Sequence, residues 1–302
     1  MEAPSDLKLK DYVCIVDGHP DAEIAFSRGT VRARLNEANG ALWLQLNRPS
    51  RLNALALSMC HAMAQILRSA DADQFVSLVV LTSAHNRAFC VGGDMRQLAL
   101  NCVEEEVAHP LRTEEDEEYP PWHLNYFEYH MDYLLHVLRK PVISLVDGLA
   151  LGGGAGVACN PLFRVVSERA RIGMPETRAL YVPDCGGNRF LALLPAQFGR
   201  YAACVGATLD GREAAHLRVA THFVPQERMP ALLGALLSHP DVNPRDIAGV
   251  WRQVEMLLSA FHEDPQADSA AINSRVLFFS RAFDTTTAAA AFRQLASALS
   301  AG

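Results

Sequence analysis

Two glycine turns, each between a short apolar run and a stretch of helical spacing, constrain this chain more than any other feature. The first is Val91-Gly92-Gly93-Asp94, which follows Ala88-Phe89-Cys90 and leads into a helix start at Met95. The second is Gly152-Gly153-Gly154, between a strand at Val142–Val146 and a helix from Ala155 onward. A strand that turns into a helix on glycine leaves backbone N–H groups pointing out of the turn, reinforced by the positive end of the helix dipole. Two such turns can give one donor each to an oxyanion. Neither is a nucleotide site: the third position of a dinucleotide fingerprint is Val157, and no G-K-[ST] is present.

Around these turns the chain reads as β-turn-α repeated, with strands too short for a clean doubly wound sheet. Val31–Leu35 and Ala41–Leu46, split by residues 36–40, form a hairpin that ends at Asn47-Arg48-Pro49. Leu55, Met59, Met63, Ile66 and Leu67 have helical spacing, and Ser77–Ser83 is a buried strand. A helix from Trp122 to Leu138 stops before Lys140-Pro141. Phe163–Ser167 is a strand and Arg171–Met174 a short extended piece. After Leu191 the chain reads as almost wholly helical, its last helix capped by Asp284. These elements divide the chain into a polar N-terminal extension (1–26), a core (27–200) and a C-terminal helical region (201–302). Within the core, residues 101–121 carry Glu104–Glu106, Glu114–Glu118 and three prolines, a solvated acidic insertion.

Composition removes several function classes. With 302 residues, half of them hydrophobic, the chain can bury a sizeable core. Its 27 Lys and Arg against 34 Asp and Glu leave a net charge of −7, so it is no binder of a phosphate backbone. Seven cysteines without a C-x-x-C pair read as thiols of a reducing compartment, neither a disulfide framework nor a zinc site. Pro141–Phe163 is the most apolar stretch, but Asp147 and its glycines make it a poor membrane helix. Glu2, Asp6, Asp11, Asp17 and Glu23 argue against a presequence in this stretch. His123, His130 and His136 are not at i, i+4 spacing and H-E-x-x-H is absent, so no metal is expected.

A third segment carries the candidate acids. Met174-Pro175-Glu176-Thr177 is followed by Pro183-Asp184-Cys185-Gly186-Gly187, which sets Glu176 and Asp184 eight residues apart. Two carboxylates in one cleft can be driven to different pKa values and share acid and base work. No G-x-S-x-G supplies a serine nucleophile, and Cys90 and Cys185, without an evident histidine partner, read as structural.

In this order and spacing, Leu46-Asn-Arg-Pro49, Leu52-Asn-Ala54, the Gly92-Gly93 turn, Lys140-Pro-Val-Ile143, Gly152-Gly-Gly154 and Met174-Pro-Glu176 resemble the crotonase (enoyl-CoA hydratase/isomerase) superfamily. The resemblance covers roughly residues 31 to 230. Within the superfamily the chain is most similar to the branch that hydrolyses 3-hydroxyisobutyryl-CoA. Gly156 stands where hydratases carry their first catalytic glutamate, and Asp184, Glu128 before Tyr129, and Ala220-Thr-His-Phe-Val224 are typical of the hydrolases.

The resemblance implies an α/β (α+β) fold, a ββα spiral core with a C-terminal helical region. It implies that the backbone N–H groups of Gly93 and Gly153 hold the thioester carbonyl, and that Glu176 is the main catalytic carboxylate, activating water or attacking the carbonyl itself. Asp184 would bind the substrate hydroxyl or assist proton transfer, and Glu128 would line the acyl pocket. The implied reaction is hydrolysis of a short 3-hydroxyacyl-CoA of valine degradation, in the mitochondrial matrix of a eukaryote or otherwise the cytoplasm. CoA is part of the substrate and no separate cofactor is expected; neither is a membrane, and a homo-oligomer is allowed.

The competing expectation is a catalytically weak relative built into a larger assembly such as a mitochondrial ribosome, the only setting in which nucleic acid would be a partner. A hydratase or isomerase comes third. Arg178 and Leu180 replace small or apolar residues, and Arg178 is expected to pair with Glu176 and depress its pKa. The chain stops at Gly302, where such hydrolases continue through helices that help close the CoA site. A glutamate at Gly156 is expected to supply the second carboxylate of a hydratase.

Overall fold

The computed structural model describes residues 24–26, 29–96, 99, 123–238, 244–284 and 287–300. The acidic insertion 101–121 and most of the N-terminal extension lie outside the described residues.

A seven-stranded sheet forms the spine. Its order is β1 (Ile24–Phe26), β2 (Val31–Leu35), β3 (Ala41–Leu46), β4 (Leu78–Ser83), β6 (Val142–Val146), β8 (Phe163–Val166) and β11 (His222–Phe223). The expected hairpin is the antiparallel β2–β3 pair, and β1 adds a strand from the end of the extension. From β3 to β11 every pairing is parallel. A second sheet holds β5 (Ala88–Cys90), β7 (Leu149–Leu151), β9 (Arg171–Gly173) and β10 (Thr208–Asp210). Each turn of the spiral therefore lays one strand in the large sheet, the next in the small one, and then helical chain.

Alternation along the strands explains how the large sheet is buried on both faces. Val79, Leu81, Val142 and Val146 belong to the main core, with α1 (Leu57–Ala72), α2 (His123–Val137) and α3 (Gly153–Cys159). Leu78, Val80, Ile143 and Leu145 face the other way, onto α7 (Met229–Ser238) and α8 (Ile247–Phe261). A period of two with both faces apolar is what a covered parallel sheet requires. Lys140, from the Lys-Pro segment, is buried, and its Nζ donates to the carbonyls of Ala70 and Asp73 at the end of α1. That motif is a helix stop, and burial pulls the Lys140 ammonium down to about 8.

The C-terminal third departs from the helical expectation in two places. After α4 (Gly187–Ala192) and α5 (Phe198–Val205) the chain returns to the small sheet as β10, and after α6 (Gly211–His216) to the large sheet as β11. Strands of three and two residues leave no periodic signal, and the Asp210–Glu213 capping box that opens α6 dominates the local pattern. Asp284 does not start the last helix; it ends α9 (Ser269–Phe283), and Thr287 caps α10 (Ala288–Ser300) by accepting the Ala290 N–H. A short polar residue such as Asp284 stands at either end of a helix. α9 packs on α5 through Phe279, whose ring stacks on Tyr201 at 3.7 Å between centroids. Among the described residues no helix is long and apolar enough to cross a membrane.

Candidate active site

The Gly92-Gly93 turn is held by the motif that precedes it by forty residues. Leu55 N–H donates to Gly92 O at 2.8 Å and Asp94 N–H to Leu55 O at 2.9 Å. Behind this bridge Asn53 is fully buried; its Oδ1 accepts the Arg48 N–H, and its Nδ2 donates to Ser83 Oγ and Phe89 O. Arg48 reaches forward to pair with Asp94 at 2.7 Å and to donate to Ala54 O. The Asn-Arg-Pro and Leu-Asn-Ala segments thus set the first turn. Met95 opens a helical turn after it, as the sequence predicts.

The second turn abuts the first. A Cβ on Gly92, at φ +91°, would stand 3.1 Å from Gly153 N. Gly152 N–H is taken by Gly173 O, and Ala155 and Gly156 N–H return to Gly152 O. These bonds and those of the first turn use the N–H groups of Leu55, Asp94, Gly152, Ala155 and Gly156, not those of Gly93 and Gly153. α3 begins at Gly153, two residues before the expected Ala155.

Four carboxyl groups gather against this pair of turns. Glu128, on α2 and 4% exposed, presses Oε1 so close to Gly153 that any Cβ there would overlap it, and a Cβ on Gly93 would stand 3.7 Å from its Oε2. Glu176 opens a 3-10 helix, Glu176–Ala179, directly after Pro175, with Oε1 2.7 Å from where a Gly152 Cβ would be. Asp184 accepts a hydrogen bond on Oδ2 from the Tyr129 hydroxyl at 2.7 Å. Asp132, one helical turn beyond Glu128 on α2, is buried, and neither of its oxygens has a hydrogen-bond partner.

Burial raises three of these carboxyls, Glu128, Glu176 and Asp132. Loss of water, with Asp184 and Glu176 as further negative neighbours and Cys185 acting in the other direction, pushes the Glu128 carboxyl up to about 7. Glu176 is likewise pushed up to about 7, first by burial and then by Asp184, and its Oε2 is buried without a partner. Asp132 is held well above the carboxylate range by burial and by Glu128. Arg178 does not counter this. Its Nε turns to Val205 O, away from the expected ion pair, so Glu176 is raised where depression was expected. The 3-10 turn is the reason, because it aims Glu176 at the glycines and Arg178 at α5.

The sequence brings Gly93, Gly153, Glu128, Glu176 and Asp184 into one reading, and the structure assembles all five. It also adds Cys185 and Asp132, which that reading does not place there. Cys185 sits at φ +46° with its Sγ 3.4 Å from a Cβ on Gly153, and its carbonyl accepts Asn160 Nδ2. Burial pushes its thiol up, so it is a packed wall and not a nucleophile. For Asp132 the available signal is its i+4 spacing from Glu128. Gly156 faces Asp132 Oδ2 and the Cys185 carbonyl; a Cβ there would lie 3.1 and 2.6 Å from them. There is no room for a glutamate at 156, which corrects the expectation that one would complete a hydratase site.

A parallel-cored spiral whose two glycine turns face a carboxyl cluster defines the frame of this chain. The chain belongs to the enoyl-CoA hydratase/isomerase family, whose model matches residues 41–301. It is 34% identical to 3-hydroxyisobutyryl-CoA hydrolase 1 of Arabidopsis thaliana over 84% of this chain and 62% of that protein. It is 33% identical to the mitochondrial 3-hydroxyisobutyryl-CoA hydrolase of Mus musculus over 74% of this chain and 54% of that one. Small ribosomal subunit protein mS47 of Neurospora crassa is 29% identical over 73% of this chain and 41% of its own length. Among solved structures, a carnitinyl-CoA dehydratase from Mycobacterium thermoresistibile superimposes with a TM-score of 0.73 at 26% identity, over 88% of this chain and 70% of the other. The chain therefore spans about 62% of the Arabidopsis relative's length.

Proposed function

We propose that this chain hydrolyses the thioester of a short 3-hydroxyacyl-CoA of the 3-hydroxyisobutyryl-CoA kind. The observation that carries this reading is Glu176, whose Oε1 stands beside Gly152, with the space at Gly156 closed to the glutamate that a hydratase would add from α3. Adding water across an enoyl double bond generally uses two carboxyl groups poised on one water; cleaving a thioester can proceed with one.

In this reading the carbonyl oxygen lies between the N–H groups of Gly93 and Gly153, which take up the charge that builds in the tetrahedral state. Each such donor contributes about 3 kcal/mol. Ionised Glu176 removes a proton from water, the hydroxide adds to the carbonyl carbon, and the collapsing intermediate expels the CoA thiolate, which takes the proton back from Glu176. The other route consistent with the same geometry is attack by Glu176 itself, giving an anhydride that water then cleaves. Both yield one carboxylic acid and one free thiol per water consumed. Asp184 receives the substrate's 3-hydroxyl, and Glu128 closes the acyl pocket. CoA arrives as part of the substrate and the chemistry asks for no other cofactor. The relatives named mitochondrial support the matrix of a eukaryotic cell as its place.

The ribosomal relative favours a second reading, a non-catalytic subunit of a larger assembly. Thiol release from 3-hydroxyisobutyryl-CoA by the purified chain decides between them. Steady release supports the hydrolase, whereas a folded chain that releases none, and is recovered from cells only within a ribonucleoprotein particle, supports the subunit.

A further inference from the structure

The hydrogen bond to Asp184 comes from a residue that no part of the reaction scheme uses. Tyr129 follows Glu128 on α2, so one helical segment delivers a carboxyl to the glycine turns and a phenol to the facing loop. That loop is held in an uncommon shape: Leu180 at φ +59° and Cys185 at φ +46° are both left-handed without being glycine. Its Tyr181 accepts Asn125 Nδ2, from one turn earlier on α2, at 3.4 Å. α2 therefore clasps the loop at Asn125 and at Tyr129, and the second clasp falls on the carboxyl itself. A carboxylate held through one oxygen keeps one fixed direction for the other, which a freely rotating side chain does not.

We propose that Tyr129 is a positioning residue: by donating to Asp184 Oδ2 it fixes Oδ1 toward the substrate's 3-hydroxyl, so preference for hydroxylated acyl groups depends on this phenol. The inference rests on the proposed hydrolase reading for the identity of the hydroxyl, and on the structure alone for the clasp. It assigns Tyr129 no contact with the reacting atoms. The groups that face Asp184 are Glu128, Tyr129 and Asp132 from α2, Glu176 from the 3-10 helix, and Cys185 from its own loop.

The test is Tyr129→Phe, which keeps the ring and removes the donor. Its kcat/KM is compared on 3-hydroxyisobutyryl-CoA and on isobutyryl-CoA, which lacks the hydroxyl. A hydrogen bond to a charged group supports a fall of about tenfold or more on the hydroxylated thioester, with the other substrate changed less than about twofold. Equal falls on both would mean a merely structural tyrosine, and no change on either would mean no clasp; each overturns the proposal. A second readout needs no turnover: backbone amide exchange across residues 180–186, which the two contacts hold to α2, should quicken in Tyr129→Phe. Exchange that does not quicken overturns the clasp even if the chain cleaves neither thioester, a result that would separately remove the hydrolase reading.

Discussion

Glu128 offers the sharpest stability test because it is almost fully enclosed and lacks a hydrogen bond on Oε1. Its carboxyl rises from an ordinary 4.5 to about 7, driven first by lost hydration and then by Asp184. A raised acid pKa means the folded state holds the proton more tightly than the unfolded chain. The associated stability is fully present below about 4.5 and is lost as pH rises through about 7. At about 1.4 kcal/mol per unit, the difference is worth about 3 kcal/mol. Glu128→Gln keeps the volume and does not titrate. Urea unfolding from pH 4.5 to 8.5 should therefore show wild type losing about 3 kcal/mol relative to Glu128→Gln across that range. The part of the Asp132 and Glu176 signals that comes from burial is common to both proteins and cancels in the difference, while their coupling to Glu128 adds to the loss of the wild type. A difference that is flat, or that grows in favour of wild type with rising pH, would refute the argument that burial governs this carboxyl.

Three further outcomes follow from the same geometry. If Glu176 acts as an ionised carboxylate, kcat should rise with pH through about 7, where its pKa lies, and level off above; a plateau already reached at pH 5 would exclude it as the titrating base. Gly153→Ala places a methyl against Glu128 Oε1, so turnover should fall at least about a hundredfold by displacement of the oxyanion donor, measured as kcat on protein whose circular dichroism is unchanged. Gly156→Glu should lower the melting temperature sharply and give no crotonyl-CoA hydration, because its side chain would have to enter the space of the Cys185 carbonyl and Asp132.

What was legible in the sequence was local. The glycine turns, the Met174-Pro-Glu176 bend and the β2–β3 hairpin announce themselves through backbone requirements that few residue types meet. The carboxyl cluster was half legible. Glu128, Glu176 and Asp184 stand in recognisable segments, but Asp132 and Cys185 enter the site only because α2 and α3 meet at a face cleared by glycines 153 and 156. Contact between helices separated in sequence has no periodic signature. Arg178 shows the same limit from the other side: two residues after Glu176, it points to Val205 because residues two apart in a 3-10 turn face different ways. β10 and β11 were hidden by brevity, since their pairing partners, not their composition, make them strands.

The central claim is that Glu176 and two backbone N–H donors make a thioester hydrolase and not a hydratase. Thiol release from 3-hydroxyisobutyryl-CoA and loss of enoyl absorbance from crotonyl-CoA, followed side by side on wild type and Glu176→Gln, test it most directly. The account expects thiol release at least a hundredfold faster than hydration in wild type, and its loss in Glu176→Gln by about 10²–10⁴-fold. Hydration that outpaces thiol release, or thioester cleavage that survives Glu176→Gln, would contradict it.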